Sequence, residues 1–159
     1  MNKRIILLDL NYTLVGNQAT TRMLRPFSKR MEAEEYRMDL LEAIKNDYVI
    51  IVTARPAYQA QQTLENIKRK TGWQPQESYF NDIDAEPPVF KDSALRRFIF
   101  PRHGQDGAQY FAVESNPKTR AMYAKYGIAA KPYDQFIKGQ TLRNAEAAPL
   151  DTFEQIGMF

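Results

Sequence analysis

Short unbroken apolar blocks alternate along this chain with stretches in which apolar residues return every three or four positions. "RIILLDL" (4–10) is the first block, interrupted by Asp9, and "YVIIVT" (48–53) is the second. Continuous apolar runs of this length suit strands of a parallel sheet covered on both faces. "ESYFND" (77–82) predicts a weaker third strand, "QYFAV" (109–113) a fourth and "IAA" (128–130) a short fifth. Tyr36, Leu40, Leu41 and Ile44 predict a helix over 31–46. Ala60, Leu64 and Ile67 form the inner stripe of a second helix, which Gly72 can close. A third opens at Lys91 and carries Leu95, Phe98 and Ile99. Asn116-Pro117 supplies an N-cap and a first-turn proline for a fourth, with Met122 and Tyr126 on one face and Gly127 at its end.

This β-α alternation predicts an α/β fold: a doubly wound, Rossmann-like parallel sheet of about five strands with helices on both faces. Ligands of such sheets bind beyond the carboxyl ends of the strands. The pattern places one domain over 1–138 with a small flap at 15–30, and a C-terminal tail over 139–159. Within the tail, "LDTFEQIGMF" is expected to dock as a short amphipathic helix or to fray.

Composition changes this picture little. The 159 residues include nine Phe and nine Tyr, enough large side chains for one core. No apolar run approaches the roughly 18 residues of a membrane span, and the run after Lys3 and Arg4 is too short for a signal peptide. The absence of cysteine excludes disulfides and thiolate metal sites and fits a cytoplasmic, reducing setting. A net charge of +3 permits phosphorylated or nucleic-acid partners without requiring them. "KRK" (68–70) is read as a helix C-terminus and "RR" (96–97) as a solvated helix face.

The chemistry gathers at strand ends. Strand one releases Asp9, Asn11 and Thr13, strand two Thr53 and Arg55, and strand four Glu114, Ser115 and Asn116. An open parallel sheet brings such ends together. Two carboxylates, a hydroxyl and a lysine in one cleft suit an anionic phosphate with a divalent metal, and hard oxygen ligands favour Mg²⁺. Each residue also has a bland role. Asp9 can cap a turn, Thr53 and Arg55 can open a helix before Pro56, and Asn116 can be an N-cap alone. Lys91 competes with Lys45 and Lys118 for the part of the lysine. His103, in "PRHGQDG", is read as exposed.

Across residues 4–131 the pattern resembles the haloacid dehalogenase superfamily, small-cap phosphatase-like members in particular. "DLNYT" (9–13) is similar to its DxDxT motif, and "VIIVTAR" (49–55) to its apolar strand ending in Thr or Ser. Lys91 in "VFKDSAL" is similar to its helix-borne lysine, and "FAVESNPKTRAMYAKYGI" (111–128) to its acidic strand end with helix and glycine turn. The resemblance implies a Mg²⁺-dependent phosphatase in which Asp9 attacks phosphorus and forms an aspartyl-phosphate. Thr53 would hold a phosphoryl oxygen and Lys91 would neutralise charge, with Thr13, Ala54 and Arg55 lining the substrate site. Mg²⁺ would be held by Asp9, the Asn11 carbonyl and Glu114.

Two departures bear on activity. The family's second aspartate protonates the leaving group and activates water; Asn11 cannot exchange a proton, and such help is worth about 10²–10⁴ in rate. The fourth motif carries Glu114 where the family usually shows two acids. The residues therefore leave open an altered phosphatase, a weak or silent phosphate-binding homologue with a regulatory role, and a different acid-nucleophile reaction such as carbon–halogen or phosphonate cleavage. The short flap leaves an open cleft suited to bulky substrates, among them a nucleotide or a nucleic-acid 3′-phosphate. Arg22, Arg25 and Lys29 would be its phosphate contacts, against the bland reading of a basic helix balanced by Glu32, Glu34 and Glu35.

Overall fold

Each apolar block becomes a strand, and every pairing between them is parallel. The computed structural model describes residues 4–147. The strands are β1 (Ile5–Leu8), β2 (Tyr48–Pro56), β3 (Glu77–Asn81), β4 (Tyr110–Val113) and β5 (Ala129–Lys131). They lie side by side in the order β3-β2-β1-β4-β5. β1 is therefore central, and the reversal of chain direction across the sheet falls between β1 and β4, where ligands of doubly wound sheets bind. The expected α/β, Rossmann-like sheet is the observed one.

The helices are α1 (Gln18–Thr21), α2 (Phe27–Ala33), α3 (Met38–Ile44), α4 (Ala60–Thr71), α5 (Pro87–Ala94), α6 (Phe100–His103), α7 (Pro117–Lys125) and α8 (Tyr133–Ala147). Alternate residues of the central strands feed two cores. Ile6, Leu8, Val49 and Ile51 meet Leu40, Ile44, Ile67 and Phe136 from α3, α4 and α8. Ile5, Leu7, Ile50 and Val52 meet Phe90, Leu95, Ile99 and Tyr123 on the opposite face. Both faces of the central strands are thus sealed, which is why their sequences do not alternate.

Three local expectations are corrected. The helix read over 31–46 is two helices, because the chain leaves α2 after Ala33 and Tyr36 forms an antiparallel bridge with Val15. Tyr36 keeps the helical spacing to Leu40 and Ile44 because all three face one core. Lys91 does not open its helix: α5 begins at Pro87, and Lys91 sits in its second turn, 1% exposed. His103 is not exposed, since its ring binds Glu77 at the amino end of β3, away from the strand ends that carry the site.

"KRK" does close α4, with Gly72 following in a left-handed conformation at φ 75°. Of the "RR" pair, Arg97 grips Asp82 and Arg96 pairs with Asp92, both at the surface. α8 runs continuously across position 139, where the pattern starts the tail. "LDTFEQIGMF" (150–159) lies outside the described residues. No helix among the described residues is long and apolar enough to cross a membrane.

Candidate active site

β1 ends at Leu8, and the next residue, Asp9, stays in register when its N–H donates to the Val113 carbonyl of β4. The chain then makes one wide turn over Leu10–Leu14, closed by the Val15 N–H on the Leu10 carbonyl at 2.9 Å. This turn folds Thr13 back so that its hydroxyl donates to Asp9 Oδ2 at 2.8 Å. From β4, the Ser115 hydroxyl and N–H reach the same oxygen at 2.8 and 3.3 Å. Asp9 is held by its own turn and by the end of the neighbouring strand β4.

Lys91 closes the cluster from α5. Its ammonium lies 2.9 Å from Asp9 Oδ1 and 2.6 Å from Glu114 Oε1, and all three side chains are buried. One cation therefore serves two carboxylates. Burial opposes the charged form of Asp9, but the Lys91 charge and the hydrogen bonds of Lys91, Thr13 and Ser115 outweigh it, and the carboxyl stays below its ordinary range. Glu114 goes the other way: burial and the Asp9 charge push it up to about 7, against the pull of Lys91. For Lys91, burial disfavours the ammonium, and the two carboxylates more than offset it and raise its pKa. The two acids are held apart in protonation, and both line a cavity, Asp9 as the ionised one.

Asn11 belongs to a second cluster. Its side-chain oxygen accepts from Arg55 Nε at 2.9 Å. Arg55 is itself buried, 2.5 Å from Glu34 Oε2, and donates to Thr63 Oγ1 at 3.2 Å. Glu34 also takes Arg30 at 3.3 Å and the Tyr36 hydroxyl at 3.1 Å, and Asn66 donates to Tyr36 in turn. With its oxygen accepting from Arg55, Asn11 has its NH₂ group left, a hydrogen-bond donor that cannot release a proton.

The strand ends surround a cavity of about 500 Å³ lined by Asp9, Asn11, Tyr12, Ala54, Lys91 and Glu114, together with Pro87, Ser115 and Asn116. Of the residues singled out in the sequence, Asp9, Asn11, Ala54, Lys91, Glu114, Ser115 and Asn116 meet there. Thr13 stands behind Asp9. Thr53 is fully buried, and its hydroxyl accepts the Arg55 N–H at 3.2 Å. Arg55 acts behind Asn11 and does not line the wall. Arg22 and Arg25 are outside the cavity: Arg22 reaches the Tyr12 hydroxyl at 3.4 Å, and Arg25 binds the carbonyls of Arg22 and Leu24. The competing lysines fall away, since Lys45 pairs with Glu42 at the surface and Lys118 opens α7. Asn116 is the N-cap, accepting from the Lys118 N–H at 2.9 Å, and also touches the cavity.

Tyr12 and Glu34 are the residues that the sequence reading missed. Tyr12 occupies an unspecified position of the first motif, and its exposed ring gave no apolar periodicity. Glu34 looked like one surface charge among three, and only the fold pairs it with Arg55.

The oxygens that could hold a hard cation show partial convergence. Asp9 Oδ2 and the Asn11 carbonyl oxygen both lie within reach of Ser115 Oγ, at 2.8 and 3.2 Å, and so lie near one another. Glu114 meets Asp9 at the same ammonium, while its other oxygen accepts the Asn116 N–H at 3.1 Å. The donor set is all oxygen, which fits Mg²⁺ and not a softer metal. Among the described residues no group of three or more His, Cys, Asp or Glu is placed to hold a metal. The carbonyl would have to complete the set.

No protein-family model matches the chain, and no curated protein matches its sequence. In three dimensions it is similar to a chain of the Pnkp1/Rnl/Hen1 RNA repair complex, with a TM-score of 0.59 at 14% identity. The match covers 82% of this chain and 42% of that one, so this chain spans less than half the length of its neighbour. At this identity the likeness is one of fold. It agrees with the α/β, Rossmann-like sheet described above.

Proposed function

We propose that this chain is a phosphohydrolase of the haloacid dehalogenase type, acting on a phosphomonoester through an aspartyl-phosphate at Asp9. The observation that carries the proposal is the buried Asp9–Lys91–Glu114 cluster at the floor of the cavity, with Asp9 held ionised. Asp9 attacks phosphorus, the bond to the leaving oxygen breaks, and that oxygen takes its proton from solvent because Asn11 has none to give. Water then attacks the aspartyl-phosphate, releasing phosphate and restoring the carboxylate. Lys91 balances the charge that collects on the phosphoryl oxygens, and the Asn11 NH₂ donates to an oxygen in the cleft. Asp9, the Asn11 carbonyl and Glu114 would hold Mg²⁺, which would supply further charge neutralisation at the phosphoryl group. A structural neighbour within an RNA repair complex is in keeping with a nucleotide or nucleic-acid 3′-phosphate as substrate.

A second reading, a phosphate-binding or regulatory protein with weak turnover, is favoured by one observation: Asn11 is locked to Arg55 in place of an acid. Steady-state turnover of an aryl and an alkyl phosphate, with and without Mg²⁺, decides between them. Mg²⁺-dependent release of phosphate that Asp9→Asn abolishes supports the enzyme. Tight phosphate binding with no release, in the native chain and in Asn11→Asp alike, supports the binding protein.

A further inference from the structure

Tyr12 has φ 63° and ψ 5°, the left-handed region that a bulky residue enters only at a cost. Glycine or asparagine would occupy it with less strain. The ring does not repay that cost by packing, because it is 45% exposed and stands in the wall of the cavity beside Asn11. The strained turn is instead fixed from behind. Arg37 donates to the Tyr12 carbonyl at 3.3 Å and the Thr13 carbonyl at 3.0 Å, and its guanidinium lies 3.9 Å over the Tyr133 ring. From the flap, Arg22 donates to the phenol oxygen at 3.4 Å. A rigid backbone thus presents a solvent-facing aromatic plane at the mouth of the site, with a cation at its edge. A backbone outlier kept beside a cavity points to a role in that cavity.

We infer that Tyr12 is the specificity-determining residue for the leaving group: its ring stacks on the base of a nucleotide-bearing phosphomonoester, with Arg22 beside it for a flanking phosphate. Aromatic rings accept any base face, so the contact selects a base without selecting its identity. The inference rests on the phosphatase reading, and its test separates the two. Three substrates are compared: glycerol phosphate, a nucleoside 3′-monophosphate and a short 3′-phosphorylated oligonucleotide. Tyr12→Leu should raise KM roughly tenfold for both base-bearing substrates, the scale of one lost stacking contact, and change it far less for glycerol phosphate. Tyr12→Phe should keep the native preference. Tyr12→Gly should lose the preference while the melting temperature holds or rises, because the strain is gone. Arg22→Ala affecting the oligonucleotide alone would assign a strand end, and affecting neither a free nucleotide.

Equal losses on all three substrates, or none, would overturn the inference and leave the phosphatase standing. If the native chain turns over none of them, the phosphatase reading fails, and calorimetric affinities for the nucleotide and for glycerol phosphate then read Tyr12 separately. Tighter nucleotide binding that Tyr12→Leu removes sustains the platform; equal affinities overturn it.

Discussion

The Lys91 cluster and the Arg55 cluster are both buried and both assembled from segments far apart in the chain, and they differ in what they leave unbalanced. Lys91 faces two carboxylates, Asp9 and Glu114, beside a cavity. Arg55 and Arg30 face one carboxylate, Glu34, whose oxygens are taken up by the two guanidinium groups and the Tyr36 hydroxyl. The first cluster sets a second carboxylate, Glu114, beside Asp9 and their shared ammonium at an open wall, where a ligand can meet them. The second is closed on itself and reaches the cavity only through Asn11. A buried ion pair is weak evidence of stabilisation, because desolvation offsets much of the attraction. The two clusters are therefore best told apart by what breaks when each is cut.

Cutting the first should have the largest effect. Lys91→Met should lower turnover by about 10³-fold, the upper range for one lost electrostatic donor. Lys91 is buried, not a surface lysine, so the fold suffers too. Leaving the carboxylates without their cation should cost about 3 kcal/mol or more in chemical denaturation. Cutting the second should separate the two quantities: Glu34→Gln should lose about 3 kcal/mol by stranding Arg55 and Arg30, with a smaller fall in turnover. Equal losses of activity in the two variants would erase the distinction drawn between the clusters.

Asn11→Asp sharpens the comparison, since residue 11 is where the clusters touch. Turnover should rise by about 10²-fold, the usual scale of acid–base help. Arg55 would favour the ionised form of the new carboxyl, so hydrolysis of the aspartyl-phosphate should gain more than leaving-group departure. Burst and steady-state rates on an aryl phosphate measure the two steps. An unchanged steady state with a persistent burst would show that the site does not miss its acid.

Much of the frame was legible in the sequence, and the reason is local. The apolar runs at 5–8, 48–53 and 110–113 are strands buried on both faces, and no other element needs so short and continuous a run. Asp9, Lys91 and Glu114 were legible through the order of four short motifs. The break between α2 and α3 was not, because Tyr36 faces the same core from a bridge as it would from a helix. The Arg55–Glu34 pair was not legible either, since its partners are 21 residues apart and either alone looks like a surface charge. Tyr12 was hidden because the mark of its role is a backbone angle.

A small effect is expected far from the site. Burial opposes ionisation of Glu77, but its hydrogen bonds from His103, Tyr48 and Tyr79 hold the carboxyl below its ordinary value of 4.5. Between the folded and unfolded pKa values the folded chain carries fewer protons at Glu77. Its stabilisation is therefore full above pH 4.5 and fades as pH falls through the folded value. In denaturation curves taken at falling pH, Glu77→Gln should flatten the acid slope while leaving turnover at neutral pH unchanged. An unaltered acid slope would remove Glu77 from the account.

An aspartyl-phosphate mechanism requires that Asp9 become phosphorylated during turnover. Rapid acid quench of the native chain with a phosphomonoester and Mg²⁺, followed by peptide mass analysis, reads it directly. One phosphoryl group should appear on the peptide that contains Asp9, accumulating because Asn11 leaves its hydrolysis slow, and be absent in Asp9→Asn. A phosphoryl group on another residue, or phosphate release that survives Asp9→Asn, would contradict it.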